Sequence, residues 1–265
     1  METKTAATAT PVTAGTAGTT AIAAPPAPPV LIPPLAPAAR FLREAVRTSR
    51  ATGAVAPSSR YLAARLAAPL ASQGVARRPG PLSVLEAGAG TGPVTRVLAG
   101  LLGPADRLDA VEINPRFVDH LHHCLLADPA MAAASDRIRV IRGSITEVRP
   151  EGPYDVIVSC LPFTNFEPAE VRTILEGYMN ALAPGGHLTF FGYLGTLTAR
   201  TLTGSRAEAA RHRAVTRLLA GFARSHGQER SVVLRNLPPA RVWHLRVPSA
   251  GWCPGPPIQG ARACR

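Results

Sequence analysis

The chain of 265 residues is 46% hydrophobic, enough to build one sizeable core. Its 29 Lys and Arg, nearly all Arg, outnumber 17 Asp and Glu for a formal charge of +12, which favours nucleic acid or a membrane surface as partner; a GC-rich coding bias toward Arg would give the same excess. Four cysteines, Cys124, Cys160, Cys253 and Cys264, form no CxxC pair and argue against a zinc site or disulfide framework, and His120, His122 and His123 point in different directions on a helix, so no metal site is expected.

In chain order, residues 1–38 are Ala/Thr-rich and then Pro-rich, a composition with no periodic apolar face, and they read as a disordered tail. Residues 39–72 read as a basic helical segment. In it Arg40, Arg43, Arg47 and Arg50 recur at helical spacing opposite Phe41, Leu42, Ala45 and Val46, which suits either a surface helix on the domain's own core or a helix lying on anionic lipid. A turn at Thr52–Pro57 precedes a helix through Tyr61, Leu62, Leu66 and Leu70. No secretory signal is evident and no uncharged apolar run reaches the roughly 18 residues of a membrane span, so the chain is read as cytoplasmic and at most peripheral to a membrane.

From residue 73 to 247 short apolar runs at 83–87, 108–113, 138–143, 154–160 and 186–194 alternate with helical stretches at 93–102, 115–127, 168–182 and 198–224. That alternation predicts an α/β, Rossmann-like doubly wound sheet, mostly parallel. The last runs, 231–237 and 240–247, flank Pro238-Pro239 too closely for a crossover helix and are expected to form a C-terminal antiparallel hairpin. Residues 248–265 read as a loose tail.

The most informative stretch is VLEAGAGTGPVT, residues 84–95, in which Glu86 leads Gly88, Gly90 and Gly92 at every second position. The spacing is not the GxGxxG of a dinucleotide site, and no Gly-Lys-Ser/Thr follows as in a P-loop. An acidic residue at the start of the loop repels phosphate and suits an ammonium group. Twenty residues beyond Gly92, Glu112 ends the second apolar run, where a carboxylate can accept from both hydroxyls of a ribose. A ligand with a ribose, an ammonium and no phosphate fits S-adenosyl-L-methionine, leaving S-adenosyl-L-homocysteine as product.

With ExGxGxG and Glu112 in these places, the chain resembles the class I S-adenosylmethionine-dependent methyltransferases. The segment Gly53–Ala63, the glycine loop, the Ser159–Phe166 loop (SCLPFTNF) and the closing RNLPPARVWHLR block resemble, in order, the bacterial phospholipid N-methyltransferases, peripheral membrane enzymes that carry phosphatidylethanolamine stepwise to phosphatidylcholine, with relatives acting on ornithine lipids. The Ser159–Phe166 loop is also similar to that of the ribosomal RNA adenine dimethylases, which place Asn where Cys160 stands; the thiol lacks the directed amide acceptor for a base's exocyclic amine, so nucleic acid is the weaker expectation.

The resemblance implies a cofactor site of Gly53, Ser58, Glu86, Gly88, Gly90, Thr91, Gly92, Glu112, Ile113, Ser144, Ile145 and Ser159. It implies Tyr61, Leu161, Asn165 and Tyr193 at the acceptor amine, and Arg60, Pro162, Phe163 and the four arginines of residues 40–50 toward aminolipid and an anionic membrane surface. The chain departs from the family at Cys160, where Gly is usual, and at Ser144, where an Asp usually meets the adenine amino group; the latter implies weaker cofactor affinity. A protein that keeps the fold without turnover is the remaining alternative. Oligomeric state is not indicated by the sequence.

Overall fold

The computed structural model describes residues 58–72, 80–148, 153–194, 205–226 and 228–249. The tail at 1–38, the arginine-rich stretch at 40–50, Gly53, Cys253 and Cys264 lie outside the described residues.

Among the described residues seven strands form one sheet: β1 (Ser83–Ala87), β2 (Arg107–Glu112), β3 (Ile138–Arg142), β4 (Tyr154–Ser159), β5 (Leu182–Tyr193), β6 (Gln228–Val233) and β7 (Ala240–Arg246). Their order across the sheet is β3-β2-β1-β4-β5-β7-β6. The first five are parallel, while β7 pairs antiparallel with both β5 and β6. The expected Rossmann-like sheet with a C-terminal antiparallel hairpin is present. Its order reverses between β1 and β4, so the crevice beyond their C-terminal ends is the place for a ligand.

Helices α1 (Arg60–Leu66), α2 (Ala68–Ala71), α3 (Pro93–Ala99), α4 (Pro115–Ala127), α5 (Pro129–Ala132), α6 (Pro168–Ala181) and α7 (Arg206–Ser225) cover both faces. The apolar residues of β1 alternate: Val84 packs with Leu62, Leu98 and Leu121 of α1, α3 and α4, whereas Leu85 and Ala87 pack with Leu175, Tyr178 and Phe222 of α6 and α7. This two-sided burial explains why the strands read as continuous apolar runs. On the second face Asp109 of β2 accepts both arms of the Arg139 guanidinium at 2.9 and 2.7 Å and the Tyr154 hydroxyl at 2.6 Å, fastening β2 to β3 and β4.

Three boundaries differ from the sequence reading. The helix from Tyr61 to Leu70 breaks at Ala67, because Pro69 in the first turn of α2 has no amide to continue the ladder. Strand β5 begins at Leu182 and its pairing with β4 skips from Leu182 to His187, so Pro184 and Gly185 sit within a bulge. The apolar run expected as a strand over 231–237 ends at Val233, and Leu234–Leu237 form the hairpin turn.

Candidate functional site

All three glycines of residues 88–92 have left-handed backbone, with φ of +80° at Gly88, +59° at Gly90 and +87° at Gly92, so the chain leaves β1 through a sharp coil and enters α3. The coil is anchored on β2: the amides of Gly88 and Ala89 donate to the Val111 carbonyl at 2.8 and 3.1 Å. Around these glycines the space is unequal. A Cβ on Gly88 would lie 2.8 Å from Leu161 Cδ2, and one on Gly92 would lie 2.9 Å from Leu121 Cδ2, whereas one on Gly90 would meet nothing within 4 Å. A Cβ at Gly88 or Gly92 would thus displace a leucine methyl, the left-handed backbone favours glycine at all three positions, and Gly90 borders open space.

Glu112, at the end of β2, is 5% exposed. Its Oε2 accepts from the Gly90 amide and its Oε1 from the Asn114 amide, both at 2.8 Å. A carboxylate has about four acceptor directions, so these bonds are compatible with accepting ribose hydroxyls as well. Glu86 is fully buried at the end of β1, and burial, with the Glu112 charge adding to it, raises its pKa from 4.5 to about 7. Thr95, at the start of α3, lies beside Glu86 and its hydroxyl and amide act to lower that pKa, although Glu86 Oε2 and the buried Thr95 Oγ1 fall outside hydrogen-bonding geometry. Buried polar atoms left unsatisfied mark a place where a partner is expected. The open space at Gly90, the orphaned Glu86 and Thr95 oxygens and the Glu112 carboxylate together fit a ligand that presents an ammonium and a ribose.

The loop after β4 closes this crevice from the other side. The Cys160 amide donates to the Ala87 carbonyl at 2.8 Å, and Leu161 lies over Gly88. The Cys160 thiol faces Glu86 Oε1 at 3.9 Å, and burial pushes its pKa well above the ordinary value. Tyr193, at the C-terminal end of β5, is half-buried with its pKa raised by burial and then by Cys160. The Leu161 carbonyl accepts from the Phe163 amide and the Pro162 carbonyl from the Asn165 amide, both at 2.9 Å, so each turn carbonyl already holds one backbone donor.

The structure therefore brings Glu86, Gly88, Gly90, Glu112, Leu161 and Tyr193, with Cys160, to one edge of the sheet. Thr91, Ile113, Pro162 and Asn165 lie half-buried in the same loops, and Ser58 is half-buried just ahead of the Ser59 cap of α1. Other expected residues are engaged elsewhere. The Ser144 hydroxyl lies 2.8 Å from Thr146 Oγ1, Ser159 Oγ lies 3.1 Å from the Tyr178 hydroxyl, and Ile145 packs into the core on the α6 side. Phe163, expected toward substrate or membrane, is 2% exposed, edge-on to Phe190 at 6.2 Å. Tyr61 and Arg60 stand at the outer start of α1, the Arg60 guanidinium donating to the Tyr61 hydroxyl at 2.8 Å. Thr95 was missed: its place behind the glycine loop was visible, but an orphaned hydroxyl is not a property of sequence. Among the described residues no helix is long and apolar enough to cross a membrane, and no three His, Cys, Asp or Glu side chains gather as a metal site.

Residues 84–186 match the family profile described as a methyltransferase domain. Curated proteins give no match. Among solved structures the O-methyltransferase TomG from Streptomyces achromogenes, involved in tomaymycin synthesis and crystallised with S-adenosylmethionine, is 15% identical over 78% of this chain and 89% of its own, with a TM-score of 0.51. Magnesium protoporphyrin IX methyltransferase from Synechocystis, with S-adenosylhomocysteine bound, is 13% identical over 71% of this chain and 84% of its own, with a TM-score of 0.52. An O-methyltransferase from Bacillus cereus is 17% identical over 82% of this chain and 93% of its own, with a TM-score of 0.50. At these identities the likeness is one of fold. The matched profile spans the glycine loop, Glu112 and the loop after β4: the chain carries a methyltransferase domain of Rossmann-like fold.

Proposed function

We propose that the acceptor is the amine of an aminolipid, in the first place phosphatidylethanolamine on its way to phosphatidylcholine, and that the enzyme works at the surface of an anionic membrane. The observation that carries this reading is the chemistry of the acceptor edge: Cys160 and Tyr193 are both held protonated by burial, beside a turn whose Leu161 and Pro162 carbonyls each accept one backbone amide. A hydroxyl acceptor needs a base to become nucleophilic, whereas a neutral amine needs only orientation. The four sequence blocks shared with phospholipid N-methyltransferases support the same reading.

S-adenosylmethionine supplies a methyl group on a positively charged sulfur. In the proposed arrangement Glu112 holds the ribose, and Glu86, with Thr95 beside it, receives the ammonium of the cofactor. The turn carbonyls of Leu161 and Pro162, each with a second lone pair, accept the N–H bonds of the substrate amine and aim its lone pair at the methyl carbon. Burial lowers the pKa of that amine, so it enters neutral. With the cofactor held by Glu112 and Glu86, its methyl would be presented to the amine lone pair that the Leu161 and Pro162 carbonyls orient, and the proton carried by the methylated nitrogen would pass to solvent. Phe163 takes no part, being part of the core.

The test is thin-layer chromatography of lipids from a host without phosphatidylcholine that expresses this chain with labelled methionine, with and without ornithine lipid. Label in mono-, di- or trimethylated phosphatidylethanolamine supports the proposal. Label confined to ornithine lipid moves the headgroup, and no labelled lipid despite cofactor binding ends the aminolipid reading.

A further inference from the structure

The β6–β7 turn carries features that the methyl-transfer site does not use. In the sheet, Ala240 lies opposite Tyr193 on one side and Val233 on the other, so residues 234–239 stand at the edge where β5 ends. That is the same edge from which the glycine loop and the loop after β4 emerge. The Leu194 amide donates to the Pro239 carbonyl at 2.7 Å, joining the turn to the end of β5. Asn236, only 6% exposed, accepts from the Ser59 amide at 2.9 Å and donates to the Pro238 carbonyl at 2.7 Å. With Asn236 turned in and locked, its neighbours are turned out: Leu234 is 76% exposed and Leu237 82%.

Beside these leucines two cations share one ring. The Arg60 guanidinium lies 4.9 Å from the Tyr61 ring centroid and that of Arg235 lies 5.2 Å from it, with Arg235 Nη1 at 3.4 Å from the Tyr61 hydroxyl. Neither guanidinium has a carboxylate partner among the described residues. Two like charges held together without a counterion constitute a site for an anion supplied from outside.

We infer that this edge, with Leu234 and Leu237 at its tip and Arg60, Tyr61 and Arg235 behind them, seats on the surface of an anionic lipid bilayer. The leucines enter the boundary between headgroups and acyl chains, the guanidiniums meet lipid phosphates, and the tyrosine lies at headgroup level, the depth that suits an amphipathic ring. Exposed aliphatic side chains have no complement on nucleic acid, which is gripped by basic grooves and aromatic stacking. A protein partner would favour a contact centre depleted of charge. Bilayer seating at this edge brings the crevice mouth to the headgroups; it rests on the aminolipid reading only for its purpose, not for its detection.

The test uses the full chain. Sedimentation with vesicles of phosphatidylcholine containing phosphatidylglycerol compares the parent with Leu234→Ser/Leu237→Ser and with Arg60→Gln/Arg235→Gln. Each pair is expected to weaken vesicle binding by about tenfold, with cofactor affinity by calorimetry unchanged. Any lipid contact made by residues 40–50 is common to parent and variants, so the comparison reads the turn. In parallel, Leu237→Trp is titrated with vesicles bearing brominated acyl chains, where quenching beyond that of the parent is expected. Quenching no greater than the parent's overturns the proposal, as does a result in which the arginine pair alone matters and does so for a short oligoribonucleotide. Seating with no labelled lipid in the chromatographic experiment would sink the aminolipid reading alone, and labelled lipid without added quenching would sink the seating alone.

Discussion

Glu112 bonds the amides of Gly90 and Asn114 at once, so it both shapes the glycine loop and offers its remaining acceptor directions to the crevice. Glu112→Ala is expected to weaken S-adenosylmethionine binding by about 1.5–3 kcal/mol, the scale of hydrogen bonds to a charged group. Isothermal calorimetry decides this, and unchanged affinity would remove Glu112 from the cofactor. Glu86 gives a pH signature of the opposite kind. Its folded-state pKa is raised from 4.5 to about 7 by burial, so the native state holds its proton more tightly than the unfolded chain does. Stability is therefore undiminished below the ordinary value and falls as pH rises through the window up to about 7, by on the order of 3 kcal/mol at about 1.4 kcal/mol per pH unit. Glu86→Gln should raise the melting temperature above pH ~8 and leave it nearly unchanged near pH ~4, while removing the ammonium partner and weakening cofactor binding. A melting temperature lowered at both pH values would contradict the burial argument. Both glutamates were legible in the sequence as candidates because they end apolar runs at a spacing that suits a ribose and an ammonium. The orphaned state of Glu86 Oε2 was not, since it depends on what fails to pack beside it.

At the scale of elements, the glycine loop and the loop after β4 specify each other. Gly88 combines a left-handed φ of +80° with Leu161 lying where a Cβ would go. Gly88→Ala should cost about 1–2 kcal/mol from backbone conformation alone, with more from displacing Leu161. In a Gly88→Ala/Leu161→Ala double variant the steric part vanishes and the conformational part remains, so urea denaturation should show the two costs adding to less than their sum by about 0.5 kcal/mol or more. Full additivity would mean that the contact carries no energy. Strand positions were readable because burial on both faces leaves uninterrupted Val, Ile and Leu. Element ends were less so: Pro184-Gly185 resembles a turn but forms a bulge inside β5, and Leu234-Arg235-Asn236-Leu237 resembles a strand but forms an exposed turn. An apolar run cannot by itself distinguish a buried strand from a tip meant for another surface. The signal available was the Asn–Leu–Pro–Pro sequence, which cannot continue a ladder.

At the scale of the whole sheet, the apolar residues of both core clusters among the described residues fall between Leu62 and Val247, with the two faces of the sheet closed by α1, α3 and α4 on one side and α6 and α7 on the other. The helix α1 is tied to the hairpin through Asn236 and through Arg65, which donates to Ser231 at 2.6 Å and Glu229 at 2.8 Å. Among the described residues, the sheet and its covering helices are thus assembled from a stretch that begins just ahead of α1. The Ala/Thr/Pro-rich residues 1–38 contain few side chains able to add to such a core. A chain lacking residues 1–38 is therefore expected to keep its melting temperature within a few degrees and its cofactor affinity within about 0.5 kcal/mol, the range of changes far from any packed feature. Residues 40–50 and Gly53 stay in place in that chain, so the experiment isolates the tail. Differential scanning calorimetry with a cofactor titration reads both quantities. A fall of many degrees would show that the tail packs on the domain, and a loss of affinity at constant melting temperature would place it over the crevice.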